Sequence, residues 1–93
     1  MAKALQIHQE DNVAVVLSDV KRDEEVLANT ENGTVSLIAK NDIPFGHKIA
    51  LKELQIHAPI VKYGEEIGKA KSLITLGEWI HLHNVYCERG RED

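Results

Sequence analysis

Glu31-Asn32-Gly33 separates two runs, Glu24 to Asn29 and Thr34 to Lys40, and this punctuation constrains the chain more than any other feature. Asn-Gly supplies the positive φ values of a tight hairpin turn, so the two flanking runs are expected to pair antiparallel. Asn32-Gly33-Thr34 also fits a glycosylation sequon, but in a cytosolic chain the turn accounts for it.

The remaining pattern is also that of strands. Asn12 to Leu17 is rich in β-branched residues and reads as a half-buried or buried strand. Ile43-Pro44-Phe45-Gly46 is a corner, and the alternation in His47 to Leu51 suggests another strand after it. Pro59 to Gly64 and Glu65 to Ala70 are short pieces broken by glycine, which marks bulges, bends or close backbone approach. Lys71 to Leu76 has room for one helical turn but not for a stable helix. The last strand is expected to run unbroken from Glu78 to Tyr86, followed by a charged tail, Glu88 to Asp93, with nothing to bury and expected to fray. No internal repeat is visible. The expectation is an all-β domain over residues 1–87, built from several short, strongly coiled strands.

Length and charge narrow the function classes. With 93 residues the chain has room for a single compact core, and the modest stability expected of a domain this small favours association, with a partner or with itself. Its net charge of −4, its scattered basic residues and its four aromatic residues argue against nucleic-acid binding and against docking on acidic membranes. Its longest apolar runs fall far short of the roughly 20 residues needed to cross a bilayer. No signal-like segment opens the chain, and the lone Cys87 has no disulfide partner, so a cytoplasmic location is expected.

The histidines carry whatever chemistry the chain has. On a continuous strand His81 and His83 leave the same face, with Trp79 and Val85 beside them and Leu82 on the opposite side. Two such imidazoles can converge on a divalent cation or an anion, although two ligands do not complete a zinc site. On spacing alone the plainer reading, two ordinary strand histidines beside Trp79, is favoured. His47 follows Gly46 at a strand mouth, and Lys62-Tyr63-Gly64 places a cation and a phenol before a turn, a possible grip on a carboxylate. His8 and His57 have no supporting neighbours and are assigned no role. Cys87 lies too far along a straight strand from His83 for the pair to serve as nucleophile and base.

Three blocks, Asp42 to Leu51, Ile60 to Gly68 and Gly77 to Val85, together resemble the amino-terminal domain of altronate and galactarate dehydratases, in order and spacing. That domain is a SAF module, so the resemblance implies a β-clip fold. It also implies that His47, His81 and His83 line the site, with Lys62 near it and Asn84 completing the His-Xaa-His-Asn block. By the same resemblance His81 and His83 are the candidate catalytic residues and possible metal ligands, and His47, Lys62 and Asn84 the candidate substrate-binding residues. In the family this site sits against a much larger catalytic domain that handles a sugar acid, usually with a divalent iron-type metal. Here the sequence ends at Asp93, so the expected partner is a separate large catalytic subunit, which would hold most of the metal.

Such a subunit needs histidines for a chemical reason. Removing a proton next to a carboxylate and expelling hydroxide or sulfite builds an enediolate that positive charge must stabilise. Neutral imidazoles can hold a metal, donate to the acid's oxygens or protonate a leaving hydroxide near pH 7. The expectation is therefore an accessory subunit of an altronate-type hydro-lyase, inactive alone. The alternatives are the alpha subunit of a sulfolactate sulfo-lyase or a free-standing small-molecule or carbohydrate-binding module.

Overall fold

The computed structural model describes residues 1–87, and the expected frayed tail lies outside the described residues. Among the described residues there are nine strands and no helix: β1 (Ala2–Leu5), β2 (Val13–Val16), β3 (Glu25–Thr30), β4 (Gly33–Ile38), β5 (Lys48–Ala50), β6 (Pro59–Lys62), β7 (Glu65–Ala70), β8 (Trp79–Ile80) and β9 (Val85–Tyr86). They form a six-stranded sheet of order β4-β3-β1-β2-β5-β8 and a three-stranded sheet of order β6-β7-β9. Every pairing is antiparallel except β1 with β3. The expected all-β, β-clip architecture of short strands is what the chain adopts.

The hairpin around Asn32-Gly33 forms as expected, with Thr30 opposite Gly33. Only Gly33 takes a positive φ, +115°, so the dipeptide does not supply two left-handed residues. That geometry occurs instead between β6 and β7, where Tyr63 (φ +58°) and Gly64 (φ +74°) form the two-residue tip of a primed-type hairpin. Asp11 secures this tip, its carboxylate accepting hydrogen bonds from the backbone N–H groups of Gly64 (2.8 Å) and His8 (3.0 Å). The glycine-marked irregularity in β7 is a bulge: Ile60 faces Gly68 while Val61 faces Glu66. A Cβ on Gly68 would lie 2.9 Å from the Tyr86 carbonyl oxygen, so this glycine lets β9 approach closely.

What joins the strands is a backbone unit that recurs four times without a sequence repeat. A buried aliphatic residue is followed three positions later by a residue at positive φ: Val20 and Asp23, Ile43 and Gly46, Leu54 and His57, Ile74 and Gly77. The intervening turn is closed each time by an N–H donating to the carbonyl three residues earlier, as in Glu24 to Lys21 (3.0 Å) and His47 to Pro44 (3.0 Å). Positive φ at the third turn residue is the requirement of a type II turn. The units pair through antiparallel bridges, Val20 with Ile43 and Leu54 with Ile74, each made by two hydrogen bonds of 2.7–2.8 Å. In the first pair the contact is reciprocal: Asp19 accepts from the N–H of Phe45, and Asp42 from the N–H of Arg22, both at 2.8 Å. The room for a helical turn at Lys71 to Leu76 is taken by the fourth unit.

The expectation of one compact core is corrected to two apolar clusters. Val20, Val16, Val26, Ile43 and Ile49 belong to one, and Val13, Ala50, Leu54, Ile60, Ile74 and Ile80 to the other. Successive residues of a strand face opposite ways, and in β2 and β5 both sides are covered, so Val13 and Ala14, or Ile49 and Ala50, serve different clusters. β1 was not anticipated because its buried residues, Ala2 and Ala4, are small and carry little strand signal.

Gly46 and Gly77 occupy equivalent turn positions but face different surroundings. A Cβ on Gly46 meets nothing within 4 Å, whereas one on Gly77 falls 2.1 Å from the Ile38 carbonyl oxygen. Gly46→Ala should cost only the left-handed penalty of about 1–2 kcal/mol. Gly77→Ala should cost a further ~1–3 kcal/mol or more for displacing the Ile38 backbone. Urea unfolding of the two variants checks the order, and equal losses would contradict the close approach.

Candidate functional site

The strand expected from Glu78 to Tyr86 stops at Ile80, and His81 to Asn84 form a turn closed by the Asn84 N–H donating to the His81 carbonyl (3.1 Å). Asn84 causes the break. Only 2% exposed, it accepts a hydrogen bond from the His81 N–H (3.0 Å) and donates its amide to the Trp79 carbonyl (2.8 Å). It thus satisfies backbone groups within the turn before the chain resumes as β9 in the other sheet. The expectation that His81 and His83 share one face of a straight strand is corrected, and Leu82, expected opposite them, is 57% exposed.

The turn nevertheless folds back over Trp79. The His81 ring stacks on the indole, with centroids 5.4 Å apart and planes 7° apart, and the His83 ring approaches it at 5.1 Å and 45°. The third ring arrives from β5, whose register sets Ile49 opposite Trp79 and Lys48 opposite Ile80. His47, just before β5, lies 4.9 Å from His81, and its Nδ1 accepts a hydrogen bond from the Trp79 Nε1–H at 3.2 Å. An indole N–H can only donate, so Nδ1 of His47 carries no proton and neutral His47 presents its N–H at Nε2. One indole therefore organises His47, His81 and His83, which the structure brings together around Trp79 and not on one face of a straight strand.

Basic groups act on these rings. His81 is held below the ordinary imidazole range, first by burial and then by His47, Lys48 and His83. Lys48 is lowered by burial and then by the nearby Lys62. Lys62, at the end of β6, holds its Nζ 4.9 Å over the Tyr63 ring. Spacing along the chain points to Lys62 but not to Lys48. The signal that reveals Lys48 is the pairing of β5 with β8, a register that spacing along the chain does not carry. Asn84, expected to complete the site, is buried with its amide committed to the loop backbone. His57 and His8 serve turns: His57 Nδ1 lies 3.0 Å from the Tyr86 hydroxyl, and the His8 ring packs under Gly64.

Among the described residues no three His, Cys, Asp or Glu side chains converge as a metal-holding group. His47 has one ring nitrogen engaged by Trp79, and the Lys48 ammonium stands near enough to act on His81. The chain's own residues therefore do not fit a complete metal centre. What the cluster offers is imidazole nitrogens with the positive charge of Lys48 beside them.

Asn84→Ala should destabilise the chain by roughly 1–3 kcal/mol, because it leaves partly buried backbone groups unpaired. His83→Ala and Leu82→Ala, at exposed positions, should each stay within about 0.5 kcal/mol. Denaturant unfolding followed by Trp79 fluorescence tests all three. His81, read from its ring protons by NMR, should titrate below free histidine, and Lys48→Met should raise its midpoint. Since folding lowers this pKa, the associated stability is present above the ordinary imidazole value and is lost as pH falls through the folded one.

Residues 2–88 match the family described as the altronate/galactarate dehydratase SAF domain. The chain is 43% identical over 85 residues to an altronate dehydratase of Bacillus subtilis (strain 168), covering 91% of this chain and 16% of that protein. It is 41% identical over 81 residues to an altronate dehydratase of Escherichia coli (strain K12), covering 87% of this chain and again 16% of the relative. A (2R)-sulfolactate sulfo-lyase subunit alpha of Paracoccus pantotrophus is 40% identical over 63 residues, 68% of this chain and 94% of that subunit. The chain thus spans about a sixth of the dehydratases it resembles and nearly the whole of the smaller relative. With a match that runs through both sheets and the Trp79 turn, the chain belongs to the altronate/galactarate dehydratase SAF-domain family.

Proposed function

We propose that this chain is the small accessory subunit of a two-component, cytoplasmic sugar-acid hydro-lyase of the altronate dehydratase kind, completing a site whose larger part lies on a separate catalytic subunit. The observation that carries this reading is the cluster of three histidines on Trp79, in a chain whose relatives are named dehydratases and lyases. The cluster has donors and acceptors but, among the described residues that form it, no carboxylate to act as a fixed base. It is half of an acid/base apparatus.

In this reading His47 offers its Nε2–H to an oxygen of the substrate acid, its tautomer set by Trp79. His81, neutral because burial and its basic neighbours disfavour its protonation, accepts or delivers a proton at the reacting centre, and His83 supports it from the exposed end of the turn. Lys62 contributes positive charge for the carboxylate. Asn84 positions the turn instead of touching the substrate. A divalent iron-type metal is placed on the large subunit, where a dehydratase would use it to stabilise the enediolate.

The near-complete match to the small sulfolactate sulfo-lyase subunit supports a second reading, in which sulfite replaces hydroxide as the leaving group. Mixing the chain with its large subunit and assaying altronate and (2R)-sulfolactate separates the two. The chain alone should turn over neither, and the mixture one. His81→Ala and His83→Ala should each lower the rate of the mixture about 10²-fold or more with the fold intact. Full activity in both variants, or turnover by the chain alone, would refute the shared site.

A further inference from the structure

We infer that the outer edge of β4 is a self-association surface, on which a second copy of this chain adds its own β4 antiparallel about a two-fold axis at Val35. β4 ends the six-stranded sheet, and β3 is its one partner strand among the described residues. The Ala39 N–H donates to the Glu24 carbonyl (3.0 Å) and its carbonyl accepts from the Asp23 N–H (2.8 Å), so both backbone groups of Ala39 face β3. Backbone groups alternate along an antiparallel strand. Those of Leu37, Val35 and Gly33 therefore face β3 as well, and those of Thr34 and Ser36 point outward. Asn29, opposite Thr34, agrees with this phase, since its carbonyl turns away from β4 to accept from the Gln6 N–H (2.9 Å). Among the described residues no group bonds the outward N–H and C=O of Thr34 and Ser36. Beyond Leu37 the edge closes, because Gly77 comes up against the Ile38 carbonyl and accepts from the Lys40 N–H (2.9 Å). The open stretch is Gly33 to Leu37.

The other sheet edges are protected. β8 and β9 have two residues each. β6 starts with a proline, carries the bulge, and has its Pro59 carbonyl and Val61 N–H taken by the Asn12 side chain. β4 has six residues with no charge, no proline and no register shift. An edge without these devices is a template for another strand.

Three features select a second copy as that strand. With Val35 on the axis, Thr34 of each copy exchanges both N–H···O bonds with Ser36 of the other, so the unpaired groups complement themselves. The two Val35 side chains then form the non-hydrogen-bonded pair, the closest approach in a ladder. Val35 lies on the same side of β4 as Leu37, yet it is 43% exposed where Leu37 is 3% exposed, and the second copy supplies the cover it lacks. Charge fixes the direction: Glu31 precedes β4 and Lys40 follows it, both exposed. Antiparallel pairing brings each alongside the opposite charge of the other copy, whereas parallel pairing would align like charges. A contact of about five residues a side falls well below the ~1,200 Å² of stable complexes, so the association is weak and reversible.

The test uses the full chain without any partner, by sedimentation velocity and amide hydrogen exchange between about 10 µM and 1 mM, the range suited to a small interface. The chain should pass from monomer to dimer as concentration rises. The Thr34 and Ser36 amides should gain protection in step, while those of Val35 and Leu37 are protected throughout. Val35→Lys, which sets like charges face to face on the axis, should weaken dimerisation about 10-fold or more with the circular dichroism of the monomer unchanged. Ser36→Pro removes an outward N–H that the fold does not use and should weaken it as well. Ile67→Lys, at an exposed position in the second sheet, should dimerise like the wild type. A monomer at every concentration, a dimer whose Thr34 and Ser36 amides stay unprotected, or wild-type dimerisation by Val35→Lys would overturn the inference. Protection of these amides only when a large subunit is added would assign the edge to that partner and overturn self-pairing. None of these readouts involves turnover, so failure here is distinct from failure of the proposed function.

Discussion

The paired bridges Val20 with Ile43 and Leu54 with Ile74 are the constraint on which the rest of this small protein depends. Strands of two to six residues cannot enclose a core by their length alone. Each bridge instead ties two loops through a pair of buried backbone hydrogen bonds and places two aliphatic side chains in one of the apolar clusters. Buried backbone groups must be paired, and here pairing and burial are achieved by the same residues. Asn12 joins the two sheets in a similar way, its side chain bonded to the Pro59 carbonyl (2.9 Å) and the Val61 N–H (2.9 Å).

The candidate site grows from two of these units. Lys48 and Trp79 sit at the same position, five residues after Ile43 and Ile74, where each unit releases the chain into β5 or β8. The pairing of those strands then fixes His47 and Lys48 against Trp79 and Ile80 to within the tolerance of a β ladder. Rings mounted at the exits of clasped turns are held by backbone, and the Asn84 loop adds His81 and His83 to a platform that already exists. This explains how a chain with so few aromatic residues, and no helix among its described residues, can present three imidazoles in one place.

Much of this was legible in the sequence because it depends on local chemistry. The β-branched run of Asn12 to Leu17, the Asn32-Gly33 hairpin and the glycine at the β7 bulge all act within a few residues. What was not legible depends on partners far along the chain. The four turn units share φ angles but not side chains: Lys21-Arg22-Asp23, Pro44-Phe45-Gly46, Gln55-Ile56-His57 and Thr75-Leu76-Gly77 have no common residue pattern, since Asp23 and His57 adopt the conformation that glycine takes in the other two. The run Trp79 to Tyr86 alternates well enough to pass for a strand, and only the burial of Asn84, whose amide outcompetes the ladder for backbone bonds, breaks it. Lys48 escaped notice because its meaning lies in a register with β8.

Charge completes the argument. Burial first, and then His47, Lys48 and His83, lower the His81 pKa, which favours an imidazole with both a donor and an acceptor nitrogen while Lys48 supplies positive charge. Were the three histidines protonated together, the site would hold an anion more tightly but would lose every nitrogen able to accept a proton from it. Under the proposed function the two duties separate, lysine for attraction and histidine for proton exchange, so that one small surface would bind an acid and still act on the carbon beside its carboxylate.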